Sequence, residues 1–182
     1  MPRYVALFRG INVGKAKRIA MADLRKLLES LGYTGVKTLL NSGNAVFTGS
    51  AGAASGHAKR IRAAVAKRLG VDAIVVVKSA AEVAGIMAGN ELARLASEPA
   101  RLLVAVTDQA TVLASLKTLA AKSWGAERVH VGKHAVYVWC ADGILESQAL
   151  TAVMKGLAGA GTTRNWATLG KIHDLLRETD GS

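Results

Sequence analysis

The order of strand-like and helix-like segments predicts an α+β chain made of two halves that share one pattern. Three observations carry this. Short apolar runs of strand length alternate with amphipathic segments of helical period. Each half holds one pair of apolar runs joined by a turn signal, "NSGN" at 41–44 and "GK" at 132–133. The order β-α-β-β-α-β occurs once before residue 80 and again after it, which is the ferredoxin-like order.

In the first half "YVALF" (4–8) reads as a buried strand. "MADLRKLLESLG" (21–32) is helical, because Leu24, Leu27, Leu28 and Leu31 fall on one face and Gly32 supplies a stop. "VKTLL" (36–40) and "AVF" (45–47) form the hairpin around "NSGN". A loop rich in Gly, Ala and Ser (49–56) leads to "AKRIRAAVAKRLG", a helix with Ile61, Val65 and Leu69 inward and its basic residues outward. "AIVVV" (73–77) closes the half as a strand. A connecting helix (80–89) then leads to the strand "RLLVAV" (101–106) and a helix over 110–122. "ERVHV" and "AVYVW" form the second hairpin across a two-residue Gly132-Lys133 turn. A helix over 147–158, a short strand "GTTRN" and a final helix from Trp166 complete the pattern. The expected organisation is a half at 1–79 and a half with extra helices at 80–182. The linker is short, so the halves are expected to pack tightly or intertwine as one compact unit.

At 182 residues, 51% of them hydrophobic, the chain has enough material for a sizeable core. No segment approaches the roughly 18 uninterrupted apolar residues of a membrane span. The N-terminal apolar run is too short for a signal peptide, and the single cysteine, Cys140, excludes an internal disulfide. A cytoplasmic protein without membrane contact is the expectation. Charge is the strongest compositional signal: 24 Lys plus Arg against 13 Asp plus Glu, a formal +11. The excess concentrates in residues 1–40 and in the helix "HAKRIRAAVAKRL", which has no acid. Such a field favours anionic partners.

The topology places part of this charge. In a ferredoxin-like unit the loop after the first strand and the hairpin between the second and third meet at one sheet edge. That edge would carry Arg9, Asn12, Lys15, Lys17, Arg18, Ser42 and Asn44. Gly10, Gly14 and Gly43 allow backbone N–H groups to turn outward. Outward N–H groups, amides and cations together suit an oxyanion or phosphate. The glycines could equally serve a tight bend, and Asn12, Ser42 and Asn44 their own turns. Neither G-x-x-x-x-G-K-[ST] nor G-x-G-x-x-G is present.

"FRGINVGKAKRIAMADLRKLLESLG", "NSGNAVF" and "TTRNWATLGKI", in this order, resemble the bacterial family known as domain of unknown function 1697. The resemblance covers nearly the whole chain. It implies two ferredoxin-like halves and no assigned chemistry. Its motif positions map to Arg9, Gly10, Asn12, Gly14, Ser42, Gly43, Asn44, Thr163, Arg164, Asn165 and Lys171. The chain departs from the family pattern at Lys15, where a second glycine is usual, and at Ala20, where proline is usual.

"GTTRNWATLGKI" is the second polar cluster. Asn165 is placed to cap the last helix, and Arg164 could serve an anion near that helix's start or pair with a buried carboxylate. Should the halves intertwine, this segment would complete one pocket with the N-terminal loop. Catalytic signals are thin. His130 and His134 would point to opposite sheet faces across a two-residue turn, and no metal site is expected there. His57 and His173 are isolated, Cys140 ends an apolar strand, and no cofactor motif is present. Tyr137 and Trp139 share one face of a third strand, the place where RNA-binding sheets stack bases, although packing is the favoured use of these rings. The leading functional expectation is therefore a basic, polar pocket for a small phosphate- or carboxylate-bearing ligand. A nucleic-acid-binding module using its basic surface without sequence preference, and an enzyme acting on a phosphorylated metabolite, are the alternatives. Oligomeric state is not legible in these residues.

Overall fold

The computed structural model describes residues 1–95 and 97–178. The chain divides into two compact units: Met1–Ala81 with residues 172–178, and Glu82–Lys171.

The first unit runs β1 (Arg3–Arg9), α1 (Met21–Ser30), β2 (Thr34–Leu39), β3 (Asn44–Thr48), α2 (Ala54–Leu69) and β4 (Ile74–Ser79). Its sheet has the order β2-β3-β1-β4 with every neighbouring pair antiparallel. This is the ferredoxin-like arrangement, in which α1 and α2 each carry the chain across the sheet. The period-2 alternation of the strands sets the core. Tyr4, Ala6, Phe8, Ala45, Phe47, Val75 and Val77 pack with Leu24, Leu27 and Leu28 of α1 and Ile61 and Val65 of α2. The alternate residues Val5, Leu7, Val46 and Val76 are buried too, which explains why these strands read as continuous apolar runs rather than as alternating ones. α2 ends on Gly70 in the left-handed region (φ 68°), with Lys67 and Arg68 in its last turn, where the helix dipole favours cations.

The second unit holds the C-terminal part of α3 (Ala80–Ala88), two short 3₁₀ turns (Ala93–Leu95 and Pro99–Arg101), β5 (Leu102–Thr107), α4 (Ala110–Ser115) and α5 (Lys117–Ala120). It continues through β6 (Arg128–Val131), β7 (Val136–Trp139), α6 (Gln148–Leu157) and β8 (Gly161–Asn165) into α7 (Trp166–Arg177). Its sheet has the matching order β6-β7-β5-β8, again antiparallel. Leu103, Ala105, Val136, Val138 and Cys140 pack with Ala149, Leu150, Val153 and Leu157 of α6. The start of α6 is built around a buried carboxylate. Glu127 accepts the N–H of Ala149 (2.9 Å) and the hydroxyl of Ser147 (3.0 Å), and Ser147 Oγ accepts the N–H of Leu150. Two orphan donors of the first turn are thereby satisfied.

Two expectations are corrected. The helix expected over 110–122 is broken at Leu116. The Ser115 and Thr118 hydroxyls donate to carbonyls three residues back, and Leu116 and Leu119 do the same through their N–H groups, so the helical ladder tightens locally. Leu116 is seated where a Cβ on Gly156 would collide with it, which draws the chain toward α6. The second hairpin does not turn at Gly132-Lys133. Val131 pairs with Val136, and the turn takes four residues, 132–135, closed by Gly132 N–H donating to Ala135 O (2.9 Å).

Candidate functional site: the basic edge of the first unit

β1 ends at Arg9, and the chain leaves it through Gly10 at φ 69°. The following loop is organised by one side chain. Asn12 Nδ2 donates to the carbonyls of Ile19 (2.8 Å) and Asn41 (2.7 Å), and Oδ1 accepts the N–H of Ile19 (2.8 Å). The Asn12 N–H donates to Lys17 O (3.0 Å). Asn12 itself sits at φ 56°, a conformation that asparagine tolerates better than most residues. Residues 12–19 thus form a closed loop pinned to the β2–β3 turn.

The turn is locked onto β1 as well. Gly43 O accepts the N–H of Phe8 (2.9 Å), and Gly43 lies at φ 88°. A Cβ there would fall 2.5 Å from Ile11 Cδ1 and 2.8 Å from Phe8 Cβ, so only glycine fits without displacement. Asn44 is fully buried and donates to Leu39 O (2.7 Å) and to Ser42 Oγ (3.2 Å), closing the turn from inside. The loop after β1 and the β2–β3 turn therefore meet at one end of the sheet, and Asn12 and Asn44 hold that junction with their own side chains.

What this junction presents outward is charge. Residues 13–18 are exposed. Lys15 and Arg18 take part in no ion pair among the described residues. Arg9 is half-buried, in register with Ile74 of β4. One acid, Asp72, lies near Lys17. Hydrogen bonds from Arg62 (2.8 and 3.1 Å), and more weakly the charges of Arg62 and Lys17, hold its carboxyl below the usual carboxylate range. Asp72 and Arg62 were not singled out from sequence. The strand order could have found them, since β4 pairs with β1 and the residues preceding β4 must lie beside the end of β1.

The second polar cluster belongs to the other unit. Arg164 is 8% exposed, in register with Val104, and donates to Thr162 Oγ1 (3.0 Å) and Thr163 O (2.8 Å). Burial pushes its guanidinium down to about 10, which leaves it cationic at neutral pH. Asn165 Oδ1 accepts the N–H of Thr168 (2.8 Å), the N-cap bond expected for α7. Thr163 is half-buried opposite Ala105, and Lys171 is exposed on α7.

The histidines of the second hairpin are not on opposite faces. His130 is in register with Tyr137 and stacks on its ring (5.7 Å between centroids, 23°), and the Tyr137 hydroxyl donates to Ile86 O of α3 (2.6 Å). His134 packs against Gly85 of the same helix. The four-residue turn adds two residues to the expected register, and this carries His134 round to the α3 side. No group of three His, Cys, Asp or Glu able to hold a metal ion occurs among the described residues. Tyr137 is 1% exposed, so its ring is not open for stacking a base. Cys140 is buried, and burial pushes its thiol up, which disfavours the thiolate. Among the described residues no helix is long and apolar enough to cross a membrane.

The sequence profile described as "Protein of unknown function (DUF1697)" matches residues 1–137. A comparison with curated proteins finds no match. Among solved structures, the conserved bacterial protein SP0830 from Streptococcus pneumoniae is similar, with a TM-score of 0.79 at 24% identity over 97% of this chain and 99% of that one. At that identity the likeness concerns the fold, and it agrees with two four-stranded antiparallel sheets, each with its helices. The chain belongs to the DUF1697 family.

Proposed function

We propose that this member of the DUF1697 family binds a small phosphate- or carboxylate-bearing molecule at the basic edge of its first unit. The observation that supports this reading is the pinning of the 12–19 loop by Asn12 to Ile19 and Asn41. A flexible basic loop would offer only diffuse attraction. A loop tied at both ends presents Lys15, Lys17 and Arg18 from one fixed frame beside Arg9, so less entropy is lost when an anion is held. Asp72 is already occupied by Arg62, which leaves the cations of the loop largely uncompensated. In this reading Asn12, Gly43 and Asn44 build the frame, and the exposed cations with the Gly10 and Gly14 backbone supply the contacts.

The test is a thermal-shift titration with pyrophosphate and with citrate, on the natural chain and on a Lys15→Ala/Arg18→Ala variant. A ligand that binds the native state alone raises the melting temperature by mass action. Each exposed charge-assisted contact contributes about 1 kcal/mol, so the double variant should weaken binding on the order of tenfold or more. No shift with either anion, or the same shift in the variant, would remove the edge from consideration. Shifts confined to RNA or DNA that fall steeply with salt would replace this reading with non-specific nucleic-acid binding.

A further inference from the structure

The second unit contains a concavity of about 600 Å³ that has no part in the basic edge. This lies within the range of roughly 300–1,000 Å³ usual for small-molecule sites. One wall is formed by α4, where Leu113 and Ala114 present apolar surface, and by Lys117 at the start of α5. The facing wall is the end of β6 with its turn, bringing His130 and Lys133, and Glu91 reaches in from the segment after α3.

The imidazole of His130 is positioned rather than loose. One side stacks on Tyr137, whose hydroxyl is anchored on Ile86 O, and Nδ1 lies 3.4 Å from a Glu91 carboxylate oxygen. Its other nitrogen, Nε2, makes no hydrogen bond among the described residues. Lys117 and Lys133 form no ion pair among the described residues either. Two lysines against one glutamate give the cavity a positive balance, and Glu91 already faces His130. An apolar wall opposite a cationic rim with a held imidazole is complementary to a molecule that has an apolar body and one anionic head.

We infer that this cavity is a second ligand site, selective for organic anions in which a carboxylate or phosphate is joined to a compact apolar group. The apolar body lies along Leu113 and Ala114, and the head is met by Lys117 and Lys133 beside the His130 ring. Inorganic phosphate lacks the body and a neutral aromatic lacks the head, so neither uses both walls.

The experiment follows the His130 ring signals by carbon–proton NMR in histidine-labelled full-length protein. The probes are phenyl phosphate, inorganic phosphate and benzyl alcohol. Phenyl phosphate should shift the His130 signals saturably, at least about fivefold more tightly than either partial probe. Ala114→Trp, which places a ring in the cavity from an exposed helix position, should abolish the response. Lys117→Glu should weaken it. Lys15→Ala/Arg18→Ala should leave it unchanged, which separates this site from the basic edge. An unmoved His130 signal, an undiminished response in Ala114→Trp, or equal responses to phenyl phosphate and benzyl alcohol would each overturn the inference.

Discussion

Replacing Asn12 by alanine tests whether the basic loop is a built frame. Three hydrogen bonds are lost: two from Nδ2, to Ile19 O and Asn41 O, and one to Oδ1 from the Ile19 N–H. Each net hydrogen bond contributes about 0.5–1.5 kcal/mol, and the lower part of that range applies here, because water can reach much of this loop. The backbone adds a further cost. Asn12 sits at φ 56°, where alanine is disfavoured by about 1 kcal/mol or more and glycine is not. The expected loss is about 2–4 kcal/mol for Asn12→Ala and about 1 kcal/mol less for Asn12→Gly. In a chain of this size each kcal/mol shifts the melting temperature by about 2–4 °C, so Asn12→Ala should melt roughly 5–15 °C lower. Urea unfolding followed by circular dichroism measures the total. Amide exchange at Ile19 measures the local part, because that N–H bonds to the asparagine itself. Asn12→Ala within about 0.5 kcal/mol of the natural chain, together with unchanged Ile19 exchange, would refute the frame.

Two further outcomes follow from the packing. Gly43→Ala adds a Cβ 2.5 Å from Ile11 Cδ1 and 2.8 Å from Phe8 Cβ, at φ 88°; strain and overpacking together should cost about 2–4 kcal/mol in a urea melt, and a neutral result would mean that the turn is not wedged against β1. Tyr137→Phe removes the bond to Ile86 O and should cost about 1–2 kcal/mol at neutral pH. The same residue sets an alkaline limb. Burial pushes its hydroxyl up to about 12, above its ordinary value near 10. The unfolded chain therefore ionises this group first, and its share of stability is complete below about pH 10 and lost as pH rises through about 12. A stability–pH profile should show a shallower alkaline fall in Tyr137→Phe, with the part due to Tyr33, also raised by burial, left in place; an identical fall in both proteins would show that Tyr137 does not ionise late.

Most elements and, through their order, the topology were legible in the residues alone; the break at Leu116 and the length of the second turn were not. Leu24, Leu27 and Leu28 at helical spacing, and strand runs such as 4–8 and 73–77, act over a few residues, and such local patterns do not depend on the rest of the chain. Two βαββαβ patterns then allow few antiparallel arrangements, and both sheets adopt the same one. The N-cap at Asn165 was legible for the same reason, since its bond reaches only three residues. Where the other polar side chains find their partners was settled by long-range packing. Asn12 reaches Asn41 across 29 residues, Tyr137 reaches Ile86 across 51, and Gly43 is required by Ile11 and Phe8 rather than by its own turn alone. The length of the second hairpin turn followed from the same kind of constraint, since Val131 pairs with Val136 while Tyr137 is held beneath α3. The cavity beside His130 joins α4, α5, a strand end and the segment after α3, and no one of these marks it alone. A hydrogen bond or a contact depends on groups that folding brings within a few ångströms, and separation along the chain carries little information about that distance.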